Sequence, residues 1–336
     1  MSDEPATLRV EKVRDLTVER PEPGRPPFLA AASGVSRTGG GNLAIAIGDD
    51  ERHFWEGSLD DEAPGSFARI IAGDLSLQEG ERKAEKPDLE ALTILPPFER
   101  NPWGALLVCG SGGSVPGGRR SIGVAFTLAE DGTLAGFPCP VGLGPLHRFL
   151  ESHVTGQLNL EGICVWGDRL MLAQRGNSVD DQGRPGENML LALSLEKVLE
   201  SMLTDLTIDA HELLEARAYD LGGRAVEHEG ERIEVKLDFT DLDHVSGDPE
   251  GRLVFTAAAE GVDGSRAEGL MAGSAVGLIG RDGAIVLQVT VEDPTIKLEG
   301  VDARFHEDRR GIELLLVADA DDPDTPAPLL RATLPG

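Results

Sequence analysis

Three glutamates stand in copies of one short motif. PDLEALTIL (87–95), NLEGICVWG (159–167) and KLEGVDARF (297–305) place Glu90, Glu161 and Glu299 immediately ahead of an apolar run. Their separations are 71 and 138 residues, the second close to twice the first. An acid recurring at a fixed period occupies the same place in successive structural units, and in a radial array equivalent places converge. A variant, FTDLDHV (239–245), offers Asp241 and Asp243, and a more distant one, ASGVSRTGG (32–40), offers Ser33. Carboxylates gathered in a partly desolvated funnel repel one another, and protons, arginines or a metal ion must relieve the repulsion. A hard cation fits oxygen donors, so Ca²⁺ is expected ahead of Mg²⁺, with Glu90, Glu161 and Glu299 as ligands. Zinc is disfavoured, because the seven histidines form no HxxxH or HExxH pair and the three cysteines no CxxC. A structural role is equally open: each glutamate could accept backbone N–H bonds from a neighbouring unit and lock the units together.

A second set of polar residues closes the strands that follow these motifs. LAIAIGDD (43–50), ALLVCGSGG (105–113), RLMLAQRGN (169–177), RLVFTAAAEG (252–261) and ELLLVADADD (313–322) end in Asp49 and Asp50, Ser111, Gln174 with Arg175 and Asn177, Glu260, and Asp319 with Asp321. Arg175 is the tip best suited to pair with the glutamates or to hold an anionic group through its planar fork. Asp50 or Asp241 is expected as a general base. Other motifs carry less. GSGGSVPGG (110–118) lacks the GK(S/T) ending of a phosphate loop and reads as a hairpin loop. DADDPDT (319–325) lacks the Gly and Glu of an EF-hand loop and reads as a solvated turn. No GxSxG elbow is present, so a serine hydrolase of the α/β type has no support.

The elements that must position these residues are strands. Forty-two glycines and 21 prolines punctuate apolar runs of strand length. A third strand returns after each polar tip (HFWEGSL, SIGVAFTL, NMLLALSL, SAVGLIG, PLLRATL), and SFARIIAG, LAGFPCPVG, part of 212–220 and AIVLQVTV follow as outer strands. The reading is all-β: a single β-propeller domain over 1–336 with five four-stranded blades, since five units of about 67 residues fill the chain. The fifth unit ends after its third strand, and the N-terminal TLRVEKVRDLTV is expected to supply the fourth and close the ring. Six blades follow instead if 60–87 or 200–238 hides a degenerate one, and two separate β domains are the alternative architecture. Helices are expected over 144–154 and 193–206, the second beginning instead as a strand if the MLLALSL run continues into it.

Composition bounds the partners. Asp and Glu number 59 against 31 Lys and Arg, for a net charge of −28, with no basic stripe for phosphates. Nucleic acid and anionic membranes are therefore not expected as partners. The acidic N-terminus and the lack of a long apolar run lead to an expected cytoplasmic location. Cys109, Cys139 and Cys164 are expected as buried thiols.

LEG(I/V) before a strand, SGVSR, a strand ending in QRGN, and FTAAAEG together resemble the "esterase-like activity of phytase" group and related bacterial propeller proteins. The resemblance runs from about Ser33 to Leu334, and it implies a propeller with a hydrolytic site on its axis. The chain departs from the pattern at LEA in the second unit and at Asp241 and Asp243 in the fourth. Two functions follow as expectations. One is a metal-dependent hydrolase of phosphoesters or carboxylic esters, acting on a small molecule at the axis. The other is a non-catalytic ligand- or protein-binding propeller in which the repeated acids are structural.

Overall fold

The computed structural model describes the chain apart from residues 1–5, 22–24, 77, 116–117, 180–183, 210–211, 229, 262–268, 307, 309–310 and 320–321. Its strands form five antiparallel blades and two short hairpins. From the axis outward, the first blade is Gly34–Thr38, Leu43–Ile47, His53–Ser58 and Ser66–Arg69. The second is Leu89–Leu95, Ala105–Gly110, Ile122–Leu128 and Leu134–Gly142. Leu160–Trp166, Arg169–Gln174, Asn188–Ser194 and Leu213–Tyr219 make the third. The fourth is Asp238–His244, Leu253–Glu260, Met271–Ile279 and Ile285–Val291. The fifth takes Lys297–His306, Gly311–Asp319 and Pro328–Pro335 from the C-terminus and Glu11–Asp15 from the N-terminus. Each inner strand neighbours the next, and the fifth meets the first, so the ring is closed.

Why the central runs are apolar throughout rather than alternating follows from what covers them. Every blade is sandwiched between two others, so both faces of its middle strands are buried. The core accordingly divides into five apolar seams, one between each adjacent pair of blades. In the second blade all of ALLVCG is buried. Outermost strands have one solvent face. LAGFPCPVG therefore exposes Phe137 and Cys139, so the expectation of three buried thiols holds for Cys109 and Cys164 only. Burial pushes the Cys109 thiol up to about 12.

The segments that could have hidden a sixth blade hold other elements. Residues 60–87 contain an outer strand and the short helix α1 (Glu79–Glu85). Helix α2 (Gly144–Glu151) links the second and third blades, and α3 (Leu195–Asp205) lies within the third. Residues 200–238 then carry an outer strand and the hairpin Gly223–His228/Glu231–Lys236, which sequence periodicity did not reveal. No described helix is long and apolar enough to cross a membrane.

The N-terminus closes the ring by a double strap. Thr7–Leu8 pairs in parallel with the outer edge of the fourth blade, and Glu11–Asp15 then pairs antiparallel with Pro328–Pro335. Leu16 follows, fully buried in the seam between the fifth and first blades, its N–H donating to Ala327 at 3.0 Å. Because this seam joins the two ends of the chain, Leu16→Ala is expected to cost about 2–5 kcal/mol. Chemical denaturation read by Trp fluorescence would show it as a fall in midpoint at unchanged slope.

Candidate functional site on the propeller axis

The repeated acid sits at a β-bulge. Pairing between first and second strands skips one residue in four blades, and the skipped residues are Glu90, Glu161, Thr240 and Glu299. A bulge releases that residue from the ladder and turns its side chain toward the axis. The fourth blade therefore offers Thr240 at this position. Asp241 stands one residue later, where the other copies have Ala91, Gly162 and Gly300. Those small residues allow the next blade to approach: a Cβ on Gly162 would come within 2.4 Å of the Leu242 nitrogen, and one on Gly300 within 2.7 Å of the Gly34 Cα.

Asp241, expected as a general base, has both carboxylate oxygens engaged by backbone amides. Its Oδ2 accepts from Val301 N at 2.8 Å and its Oδ1 from Leu242 N at 2.7 Å. Asp243 likewise accepts from Ala303 N at 3.1 Å, and Asp302 from Arg37 N at 2.8 Å. These aspartates satisfy backbone donors of the following inner strand, which no strand ladder reaches. Asp50 lies at the rim and pairs with Arg82 of α1 at 2.7 Å. Asp321 is outside the described residues.

Glu90, Glu161 and Glu299 are drawn into one network. Arg175 Nη1 lies 3.4 Å from Glu161 Oε1, and its Nη2 donates to Glu260 at 2.9 Å. Lys297 Nζ lies 3.2 Å from Glu260, 3.3 Å from Glu299 and 3.7 Å from Asp319. Asn159 Nδ2 donates to Glu161 at 2.6 Å. On the other side, Lys86 pairs with Asp49 and, at 3.1 Å, with Asp88, and Arg120 pairs with Asp88 at 2.9 Å. The acids outnumber these four cations, so carboxyl groups are left to hold protons. Burial, opposed by Arg175 and reinforced by Glu299 and Asp88, raises Glu161 to about 7. Burial together with Glu161, Asp49 and Asp88 lifts Glu90 well above the usual carboxylate range.

Asp88 is the residue that sequence reasoning passed over. It is buried, and its φ of 58° is one of two positive values outside glycine among the described residues. Such a conformation costs free energy and persists where surroundings fix it. Here Asp88 N donates to Asp49 O, Ser111 N donates to Asp88 O, and the Ser111 hydroxyl donates to the Asp88 carboxylate. The turn brings carboxylate oxygens of Asp49, Asp88 and Glu90 within 4.8 Å of one another. Asp49 Oδ1 is buried there without a hydrogen-bond partner. Beside this triad opens a cavity of about 540 Å³, whose walls include Asp88, Arg120, Asn159, Arg175, Asn177 and Glu260.

The chain belongs to a family of unknown function (DUF6929), whose model matches residues 28–334. That family carries no phytase or esterase assignment, so of the expectation drawn from the motifs the propeller fold alone is met. No curated protein matches it significantly. Among solved structures, it is similar to a luciferin-regenerating enzyme (10% identity, 98% of this chain and 95% of that one, TM-score 0.42). It is also similar to a protein assigned as a gluconolactonase (13% identity, 98% and 92%, TM-score 0.41). Against hydrazine synthase of Kuenenia stuttgartiensis (8% identity, TM-score 0.35), 89% of this chain matches and spans 59% of that chain.

The proton on Glu161 has a consequence for stability. The unfolded chain releases it near 4.5 and the folded chain near 7, so the folded state binds the extra proton between those values. The proton's contribution to stability is therefore fully present below this window and is lost as pH rises through it. Glu161→Gln, neutral at every pH, is expected to flatten that fall, as measured by denaturation midpoints at intervals from pH 4.5 to 7.5.

Proposed function

We propose that the mouth of the axial funnel is the active site of a hydrolase for small anionic esters, phosphoric or carboxylic, and that it works with a divalent cation. The observation that carries this reading is the convergence of Asp49, Asp88 and Glu90 beside a cavity walled by two arginines.

The donor set suits Ca²⁺: all three groups are hard oxygen ligands, and Asp49 Oδ1 is a buried acceptor with no partner. Lys86 marks the same place as a seat for positive charge. Its ammonium bridges Asp49 and Asp88, and their proximity raises its pKa despite burial. A bound ion would displace that ammonium, which the flexible lysine stem allows. Glu90 is shared with the ligand set expected from the repeat. Glu161 and Glu299 have Arg175 and Lys297 as partners.

The cation's contribution, when bound, is to polarise the ester oxygen and acidify a water molecule. The chain's own residues do the rest. Arg120 and Arg175 present guanidinium groups to the cavity and would orient the anionic portion of the substrate. Glu161 and Glu260 hold Arg175 in place, and Asp88 holds Arg120. Asn159 and Asn177 add neutral polar groups to the wall. Asp50 and Asp241 are occupied by Arg82 and by backbone amides, and neither enters this reading.

Calorimetric titration of chelator-stripped protein with Ca²⁺ should show one saturable site, weakened at least about tenfold in the Asp49→Asn/Glu90→Gln double variant. A screen of phosphoric and carboxylic esters should find an activity that chelation abolishes and Ca²⁺ restores. Absence of Ca²⁺ binding, together with ester cleavage indifferent to chelation, would overturn the proposal in favour of a binding propeller whose acids lock the blades.

A further inference from the structure

The opposite end of the ring carries a second cavity, of about 630 Å³, between the third and fourth blades. It lies at the far ends of the inner strands, near Trp166 and His244, whereas the glutamates stand at their starts. It shares no lining residue with the axial mouth.

Four arginines line this cavity in a chain whose net charge is −28. Two of them are matched to acids. Arg252 makes two bonds to Asp248, at 2.8 and 2.9 Å, and Arg169 pairs with Glu215 at 2.8 Å. The other two are not bonded to carboxylates in this way. Arg217 Nη1 donates to the Asp282 carbonyl at 2.7 Å, with Glu215 no nearer than 3.9 Å to its Nε. Among the described residues, Arg281 Nη2 reaches only the Pro249 carbonyl, at 3.5 Å. A carbonyl positions a guanidinium without neutralising it, so Arg281 keeps its charge for an anion, and Arg217, with Glu215 at 3.9 Å, is only partly offset.

Both groups are seated by glycines. A Cβ on Gly283 would fall 1.8 Å from Arg217 Nη1, and one on Gly251 would fall 2.6 Å from Arg281 Nε. Gly283 and Gly251 have φ of 74° and 61°, so turn geometry and side-chain room are met by the same residue. The seats are braced by aromatic side chains: Tyr219 donates to Gly283 O and Trp166 to Gly251 O, each at 2.9 Å. Trp166 and Tyr219 also form apolar wall. A flat apolar surface beside two available guanidinium groups suits a ligand that has a ring at one end and an anion at the other.

We infer that this interblade cavity binds a small organic anion with a flat ring, its phosphate or carboxylate held by Arg217 and Arg281 and its ring against Trp166. The site is independent of the axial one.

Calorimetric titration with phenyl phosphate, benzoate and inorganic phosphate tests this. At least one of the two ring-bearing probes should bind saturably, and more tightly than inorganic phosphate by about tenfold, the ring making up the difference. Which of the two binds tighter assigns the anionic group. Arg217→Gln/Arg281→Gln should weaken that binding about tenfold or more, with the melting temperature unchanged because both side chains lie at the surface. The inference is overturned if neither ring-bearing probe binds at millimolar concentration, or if the double variant binds as the parent does.

Discussion

The innermost strand of a blade has a ladder partner on one side only. Five such strands brought together around an axis leave a row of backbone donors and acceptors that cannot reach water freely and have no sheet to join. The solution adopted here is to pair them with side chains from the neighbouring blade. Asp241, Asp243 and Asp302 take backbone N–H groups of the next inner strand, and the Thr240 hydroxyl donates to Leu298 O at 2.7 Å. Acids are the strongest short acceptors available for this purpose. The ring is thus held by carboxyl groups close to its axis, and Lys86, Arg120, Arg175 and Lys297 stand among further acids there.

The compensation is local. Each of Lys86, Arg175 and Lys297 lies between two or more carboxylates, and Arg37 is clamped by Asp302 and Glu313 between the fifth and first blades. Buried pairs of this kind rarely add much net stability over apolar packing, because desolvation cancels most of the attraction. What they do is fix geometry. Breaking one leaves a charge stranded, so the arrangement is rigid, and the rigidity extends to the mouth where Arg120 and Arg175 meet the cavity.

How much of this the sequence displayed depended on whether a role is carried by the residue type or by its neighbours. Glu90, Glu161 and Glu299 were legible because three blades use the same acid at the same bulge. Arg175 was legible because strand-end tips gather at one rim. The N-terminal closing strand was legible from arithmetic, since the last unit lacked one. The fourth blade was misread by one residue: the acid in its motif is not at the bulge but in the interblade seam, where other copies keep a glycine or alanine. Asp88 carried no periodic signal at all. Its importance comes from a left-handed backbone conformation, which aspartate tolerates better than most residues but does not announce. The hairpin over 223–236 was hidden because it is charged and packs outside the repeat, so no apolar run marked it.

The antiparallel order of a blade separates its two faces. Second strands end beside the glutamates, as at Gly110 and Gln174, whereas first-to-second turns such as Gly167–Asp168 lie at the other end. Residues serving one face can therefore change without moving the other, provided the buried middle strands keep their packing. The chain shows this separation in its chemistry. At one end, acids are matched by bases and three carboxylates converge. At the other, the turn Gly280–Ala284 reaches across a seam to Arg217 and Tyr219 and positions guanidinium groups over glycine. The first arrangement is tied to the repeat through Glu90 at the inner-strand bulge, whereas Asp49 follows the second strand of the first blade and Asp88 precedes the inner strand of the second. The second belongs to one pair of blades alone, and no ring-closing requirement demands it.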